Sequence, residues 1–109
     1  MKYIVDESIT IHYPDKYSGS NYTKSIDVVG RGASDDKILS VVRKTKRGLI
    51  TRDRKFAIHA LWAAKTVIYH KSDGTRIQIK PNRKKLRPWV TDGTRLTNYA
   101  LENDQIVIP

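Results

Sequence analysis

The sequence lacks cysteine altogether and contains only one phenylalanine and one methionine. Without cysteine the chain can form neither disulfide bonds nor thiolate zinc sites, so it is not a small disulfide-rich secreted domain. No segment approaches the roughly 20 consecutive apolar residues that a membrane-spanning helix needs. The first residues also carry no apolar run of the kind found in signal peptides. We therefore expect a cytoplasmic protein with no membrane partner.

Acidic residues are scarce beside basic ones: 11 aspartates and glutamates stand against 21 lysines and arginines, which gives a formal charge of +10. This excess favours a polyanionic partner such as RNA, because basic side chains that neutralise phosphates release condensed counterions. Nucleic-acid contacts are predicted for the basic side chains Arg52, Arg54, Lys80, Arg83, Lys84, Lys85 and Arg87. The alternative is a basic, solvated surface without such a ligand.

The pattern of apolar residues predicts one α/β domain. Strands are predicted at residues 2–5, 25–29, 49–51 and 66–70, and helices after the N-cap Ser34 and at residues 56–65. Residues 8–24 are rich in turn formers, which predicts a loop with at most one helical turn. Alternation of strands and helices is typical of a compact three-layer fold with a largely parallel central sheet.

Residues 71–109 differ from the first 70 and form a basic C-terminal extension whose fold the pattern leaves open. Residues 72–75 read Ser-Asp-Gly-Thr, which predicts a hairpin turn followed by a returning strand at residues 76–80. Residues 80–87 are a basic run, and residues 105–108 are compatible with an edge strand. Gly48 is expected to end the helix that begins after Ser34.

Three aspartates stand where a parallel sheet would gather ligands. Asp6 and Asp53 follow apolar strands directly, and Asp35 lies in the first turn of a helix packed on the same sheet. The carboxyl ends of parallel strands meet at one edge, so the three carboxylates can converge there. Clustered carboxylates repel one another unless a cation neutralises them, and Mg²⁺ or Mn²⁺ prefers such oxygen ligands. Glu7 and Asp36 are adjacent alternates.

Each aspartate also has an ordinary structural interpretation. Asp35 complements a helix dipole, Asp53 caps the helix that follows it, and Asp6 ends a strand. The histidines at positions 12, 59 and 70 show no metal-ligand spacing and are expected to be structural or on the surface. Tyr13, Tyr17 and Tyr22 could line a nucleic-acid groove or a protein interface.

These residues resemble the PIN-like superfamily, and most closely its short members encoded near toxin–antitoxin pairs. That group opens with a strand followed by Asp-Glu-Asn, and continues with Gly-Ala-Ser-Asp-Glu-Glu-Ile-Leu and then Leu-Leu-Thr-Arg-Asp-x-Asp-Phe. The corresponding segments here are Val5-Asp6-Glu7-Ser8, Gly32-Ala33-Ser34-Asp35-Asp36-Lys37-Ile38-Leu39 and Leu49-Ile50-Thr51-Arg52-Asp53-Arg54-Lys55-Phe56. The resemblance covers about 70 residues.

The resemblance implies a metal-dependent ribonuclease, with Asp6, Asp35 and Asp53 as catalytic metal ligands for Mg²⁺ or Mn²⁺. It implies that Ser8 orients Asp6, and that Thr51 and Arg52 lie beside the site. It further implies RNA as substrate, an antitoxin protein as a partner and a homodimer.

The chain departs from the family pattern in one respect. Full-length PIN domains carry another acid on an intervening helix, and here only Asp15 and Asp27 lie between the first strand and Gly30. The alternative function is therefore a catalytically degenerate PIN-like protein that binds nucleic acid. A protein-interaction module with an acidic partner is a third possibility.

Overall fold

The computed structural model describes residues 2–81, 83–87, 90–91, 95–96, 100–102 and 105–107. The strands of the main sheet are β1 (Tyr3–Val5), β2 (Tyr22–Lys24), β3 (Gly48–Thr51), β4 (Val67–His70) and β5 (Arg76–Ile79). The helices are α1 (Glu7–His12), α2 (Ser25–Val29), α3 (Asp35–Thr45), α4 (Arg54–Ala60) and α5 (Arg83–Leu86). Short strands follow as β6 (Val90–Thr91), β7 (Arg95–Leu96), β8 (Ala100–Glu102) and β9 (Gln105–Val107). No helix among the described residues is long and apolar enough to cross a bilayer.

The main sheet has the strand order β2-β1-β3-β4-β5. The first four strands in this order run parallel, and β5 returns antiparallel to β4. A tight turn makes that return possible: Gly74 adopts φ 89°, and Asp73 Oδ1 accepts from the Thr75 backbone N–H at 2.8 Å. The predicted largely parallel sheet and the predicted hairpin are both confirmed.

Alternate residues of the strands face two separate apolar layers. Ile4, Leu49 and Val67 are register partners, and they pack against the buried faces of α3 and α4. The next row, Val5, Ile50 and Ile68, packs on the opposite side against Ile9 of α1 and several tyrosines. Helices therefore cover both faces of the sheet, as the three-layer prediction required.

Helix α3 follows the sequence prediction closely at its start. Ser34 is the N-cap and its Oγ accepts from the Lys37 backbone N–H at 3.3 Å. Its end differs, because Lys46 adopts the left-handed conformation at φ 54° and ends the helix before Gly48 is reached.

Gly48 has a packing role instead. A Cβ placed on it would lie 2.5 Å from Tyr3 Cδ1 and 2.9 Å from the Thr66 carbonyl oxygen. We expect Gly48→Ala to destabilise the protein by about 1–3 kcal/mol, since the backbone carbonyl has little freedom to move away. Urea unfolding measures the change. An unchanged midpoint would show that the sheet accommodates the added methyl group without a loss of stability.

The predicted strand at residues 25–29 is wrong, because this segment is the helix α2. Its paired valines favour a strand locally, but Val28 is 41% exposed and finds no place in the sheet. The edge position is occupied by Tyr22–Lys24, where the Tyr22 ring stacks on Tyr3 with centroids 5.9 Å apart. Gly30, at φ 88°, then ends α2.

Two further boundaries differ from the prediction. The expected loop after the first strand contains the helix α1, which begins because Asp6 caps it. Helix α4 ends at Ala60 rather than at residue 65, and the chain turns before β4. In the extension, the predicted strand near residue 105 is present as β9, but it pairs with β8 and not with the main sheet.

Candidate metal and nucleic-acid site

The order of the strands creates a topological switch point between β1 and β3. The chain leaves β1 through α1 on one face and reaches β2, whereas it leaves β3 through α4 on the other face and reaches β4. Connections that diverge in this way open a crevice at the carboxyl ends of the two strands, where α/β proteins bind ligands. Asp6 follows β1 and Asp53 follows β3, so both stand at this crevice.

Asp6 is held by a set of hydrogen bonds. Its Oδ1 accepts from the Glu7 backbone N–H at 2.9 Å. Its Oδ2 accepts from the Ser8 hydroxyl at 2.7 Å and from the Thr51 hydroxyl at 2.8 Å. The expected role of Ser8 in orienting Asp6 is therefore present in the structure, and the carboxylate has little rotational freedom.

Thr51 connects the two strand ends. It is fully buried, and its Oγ1 donates to Asp6 while accepting from the Asp53 backbone N–H at 3.0 Å. Ser8 makes the reciprocal link, because its Oγ accepts from the Arg52 backbone N–H at 3.2 Å. Sequence reasoning placed Thr51 only beside the site. The hydrogen bonds make it the residue that fixes Asp6 relative to Asp53.

Asp53 has the capping role that its position allows. Its Oδ1 accepts from the Phe56 backbone N–H at 3.2 Å at the start of α4. Capping uses one oxygen, and within the described part of the chain its Oδ2 accepts no hydrogen bond. Capping is thus compatible with a further ligand role.

The surroundings of Asp35 raise the pKa of its carboxyl group. Partial burial of its carboxyl, followed by the negative charges of Asp53 and Asp6, raises its pKa above the ordinary value of 3.8. His59 opposes this rise and Asp36 adds to it. Helix α3 runs antiparallel to β3, so its first residue lies at the carboxyl edge. The three aspartates are consequently near enough to share an electrostatic environment.

The raised pKa of Asp35 predicts how its neutral variant behaves. The folded protein holds this proton more tightly than the unfolded chain, so stability falls as pH rises from 3.8 to the raised value. At neutral pH, without metal, we expect Asp35→Asn to be the more stable protein, by less than about 1 kcal/mol because the exposed charges are screened. Thermal unfolding in EDTA measures the difference.

Asp36→Asn is the control, since Asp36 shares the first turn of α3 and the same helix dipole. It should gain less stability than Asp35→Asn, because the charge of Asp36 is the smallest of the causes that raise the pKa of Asp35. Equal gains in both variants would show that Asp35 is not repelled by Asp6 and Asp53.

The donor set is compatible in type with a hard cation, because every candidate ligand is a carboxylate oxygen. Among the described residues, however, no three acids or histidines are close enough to hold one ion. The carboxylates influence one another but do not form a closed cage. An ion would have to draw them together.

The two alternates are engaged elsewhere. Glu7 Oε1 accepts from the Gly32 backbone N–H at 2.8 Å, which ties the loop before α3 to α1. Asp36 lines a shallow depression along α3 with Leu39, Ser40 and Arg43. Glu7 therefore positions the segment that carries Asp35.

The predicted nucleic-acid residues fall into two groups. Arg52 lies at the crevice with its Cζ 5.9 Å from the Tyr13 ring centroid, and Arg54 is exposed in the first turn of α4. Lys80, Lys84 and Arg87 are exposed after β5. Arg83 and Lys85 lie in α5, but their side chains are outside what the structure describes.

Sequence reasoning missed a cluster of aromatic and basic side chains beside the crevice. His70, expected to be structural or on the surface, is 1% exposed at the end of β4, and its Nε2 is 2.5 Å from Tyr17 Oη. Arg76 donates to the same hydroxyl at 3.3 Å. The three tyrosines in the polar segment after α1 were the only signal of it in the sequence.

Comparisons with known proteins give no family for the chain. No family model matches it, and neither a curated protein nor a solved structure matches it significantly.

Proposed function

We propose that the chain is a metal-dependent ribonuclease of the PIN-like type. The observation that carries the proposal is the placement of Asp6 and Asp53 at adjoining parallel strand ends, joined through Thr51. Asp35 adds a third carboxylate, whose pKa is raised first by partial burial and then by the charges of Asp53 and Asp6. An acid with a perturbed pKa, beside other acids at a switch point of the sheet, is typical of catalytic sites.

Asp6, Asp35 and Asp53 would hold Mg²⁺ or Mn²⁺. When bound, such an ion lowers the pKa of a water molecule and stabilises negative charge on a phosphate. The chain's own contribution is preorganisation. The Ser8 and Thr51 hydroxyls hold Oδ2 of Asp6 in place. Within the described part of the chain, Oδ1 accepts one hydrogen bond, from the Glu7 backbone N–H, and keeps a lone pair for a ligand.

The substrate class follows from charge. A surface with a net +10 attracts RNA and supplies contacts to phosphates that are independent of sequence. Arg52 and Arg54 flank Asp53 in the chain and are the nearest predicted contacts. An antitoxin partner and a homodimer accompany this function by resemblance, and analytical ultracentrifugation tests the dimer.

The direct test is cleavage of a fluorescently labelled single-stranded RNA with Mn²⁺ or Mg²⁺, compared with EDTA. Cleavage that requires the cation and is lost on mutation of the aspartates supports the proposal. Purified protein that binds the RNA but never cleaves it would contradict the proposal.

A second candidate function is RNA binding on a degenerate PIN-like scaffold. It is favoured by the open arrangement of the acids, since no three of the described acids or histidines surround a single point. It is also favoured by the engagement of Glu7 with the Gly32 backbone. The same assay separates the two, because this candidate predicts RNA binding that is indifferent to Mn²⁺.

A further inference from the structure

Aromatic and basic side chains form a second cluster at the carboxyl edge of the sheet, next to the aspartates. Its members, here called the tyrosine–histidine cluster, are Tyr13, Lys16, Tyr17, Arg52, His70 and Arg76. His70 ends β4, the strand beside β3, and Tyr13 directly follows α1, the helix that Asp6 caps. The cluster therefore borders the crevice on the α1 face of the sheet.

The aromatic members of the cluster hold one another in fixed positions. The His70 ring lies 5.5 Å from the Tyr13 ring and 5.7 Å from the Tyr17 ring, centroid to centroid. Tyr17 Oη accepts from Arg76 Nη1, so its own proton is free to go to His70 Nε2. This arrangement suits a neutral histidine.

The cationic members gather around these rings. Lys16 Nζ lies 5.3 Å from the Tyr13 ring centroid, and Arg52 Cζ lies 5.9 Å from it. Burial, followed by the charges of Lys16, Arg76 and Arg52, lowers the pKa of His70. All three cations thus act on the same ring.

Among the residues that the structure describes, no carboxylate pairs with these cations. Within the part of the chain that the structure describes, neither Lys16, Arg52 nor Arg76 forms an ion pair. Asp15, the acid next to Lys16, lines a separate depression with Tyr17 and Tyr22. Two cations over the Tyr13 ring and a third that donates to Tyr17 Oη favour an anion that accepts several hydrogen bonds, as a phosphate does.

We propose that the tyrosine–histidine cluster binds backbone phosphates of a single RNA strand and directs that strand towards the aspartates. The proposal rests on the proposed ribonuclease function for its choice of RNA. Arg52 connects the two sites, because it stands between Thr51 and Asp53 in the chain and its Cζ lies 5.9 Å from the Tyr13 ring centroid.

The first test measures binding without catalysis. Affinity of a fluorescent 12-nucleotide oligouridylate is measured by anisotropy in EDTA over a range of salt concentrations. Lys16→Gln combined with Arg76→Gln should weaken binding about tenfold or more at low salt. The slope of log affinity against log salt should fall by about 1.4, or about 0.7 for each lost single-strand contact.

The control is Lys2→Gln combined with Lys65→Gln. Both lysines are exposed and precede β1 and β4, at the opposite edge of the sheet. The control removes the same charge and should change affinity much less. Equal losses in the two double variants would overturn the proposal, as would unchanged affinity in the first. If Arg76→Gln impairs folding, Lys16→Gln alone is measured instead, because Lys16 lies at an exposed turn. It should lower the salt slope by about 0.7.

The second test follows the His70 ring by NMR during a pH titration. A bound strand offsets the charges of Lys16, Arg76 and Arg52, so the His70 pKa should rise by about 0.5–1 unit. No rise would contradict binding at the cluster. If inorganic phosphate at the same phosphate concentration raises the His70 pKa equally, the cluster is a simple anion site and the proposal that it binds an RNA strand is refuted.

The two proposals fail separately. If metal-dependent cleavage is unchanged when Lys16 and Arg76 are replaced, the role of the cluster is refuted and the ribonuclease function is retained. If oligouridylate binding depends on both residues but the protein never cleaves RNA, the role of the cluster is retained and the ribonuclease function is refuted.

Discussion

Replacing Asp6 or Asp53 with asparagine is expected to abolish Mn²⁺-dependent cleavage of RNA. An amide is a poorer ligand for a hard cation than a carboxylate, and each change removes one of three negative charges. The loss should be on the order of a hundredfold or greater, because the aspartates act as one unit and the effect of a single loss is close to that of losing all.

The fold should survive these changes. The asparagine side-chain oxygen can still accept the capping hydrogen bond from Glu7 or Phe56, and asparagine is a good N-cap. Circular dichroism and urea unfolding check this. Asp27→Asn is the control, since Asp27 is exposed on α2. Wild-type cleavage by both aspartate variants would place the chemistry elsewhere or in a contaminant.

Thr51→Val is expected to lower Mn²⁺ affinity and cleavage by about 10–100-fold, the usual effect of removing a group that orients a metal ligand. Valine keeps the shape of threonine, so the buried site remains filled. It removes the donor to Asp6 Oδ2 and the acceptor for the Asp53 backbone N–H. Because two hydrogen bonds are lost, at about 0.5–1.5 kcal/mol each, the free energy of unfolding should fall by about 1–3 kcal/mol.

Thr51→Ser separates the two effects. It retains the hydroxyl and loses one methyl group, so it should restore metal affinity while recovering only part of the stability. Calorimetric Mn²⁺ titration of the three proteins gives the comparison. If valine and serine reduce affinity equally, Thr51 contributes packing and does not orient Asp6.

The positions of the aspartates could be predicted because the signals are local. An apolar strand followed at once by an acid puts that acid at the carboxyl edge, whatever the order of the strands. That rule placed Asp6 and Asp53 correctly. The dipole preference of a helix start placed Asp35.

Other features depended on contacts between distant segments. Residues 25–29 resemble a strand in isolation, and they form a helix because residues 22–24 already occupy the edge of the sheet beside Tyr3. The bond between Tyr17 and His70 joins residues 53 positions apart, so no local spacing could indicate it. Thr51 was visible in the sequence, but its hydrogen bond to Asp6 depends on the pairing of β1 with β3.

The most direct test of the account is a titration with Mn²⁺ followed by NMR of the ¹⁵N-labelled protein. Paramagnetic broadening at substoichiometric Mn²⁺ should appear first at the amides around Asp6, Asp35 and Asp53, and Asp6→Asn should weaken it. Broadening centred on other acids such as Asp15 or Asp73, or no saturable broadening at millimolar Mn²⁺, would contradict a cation site at the crevice.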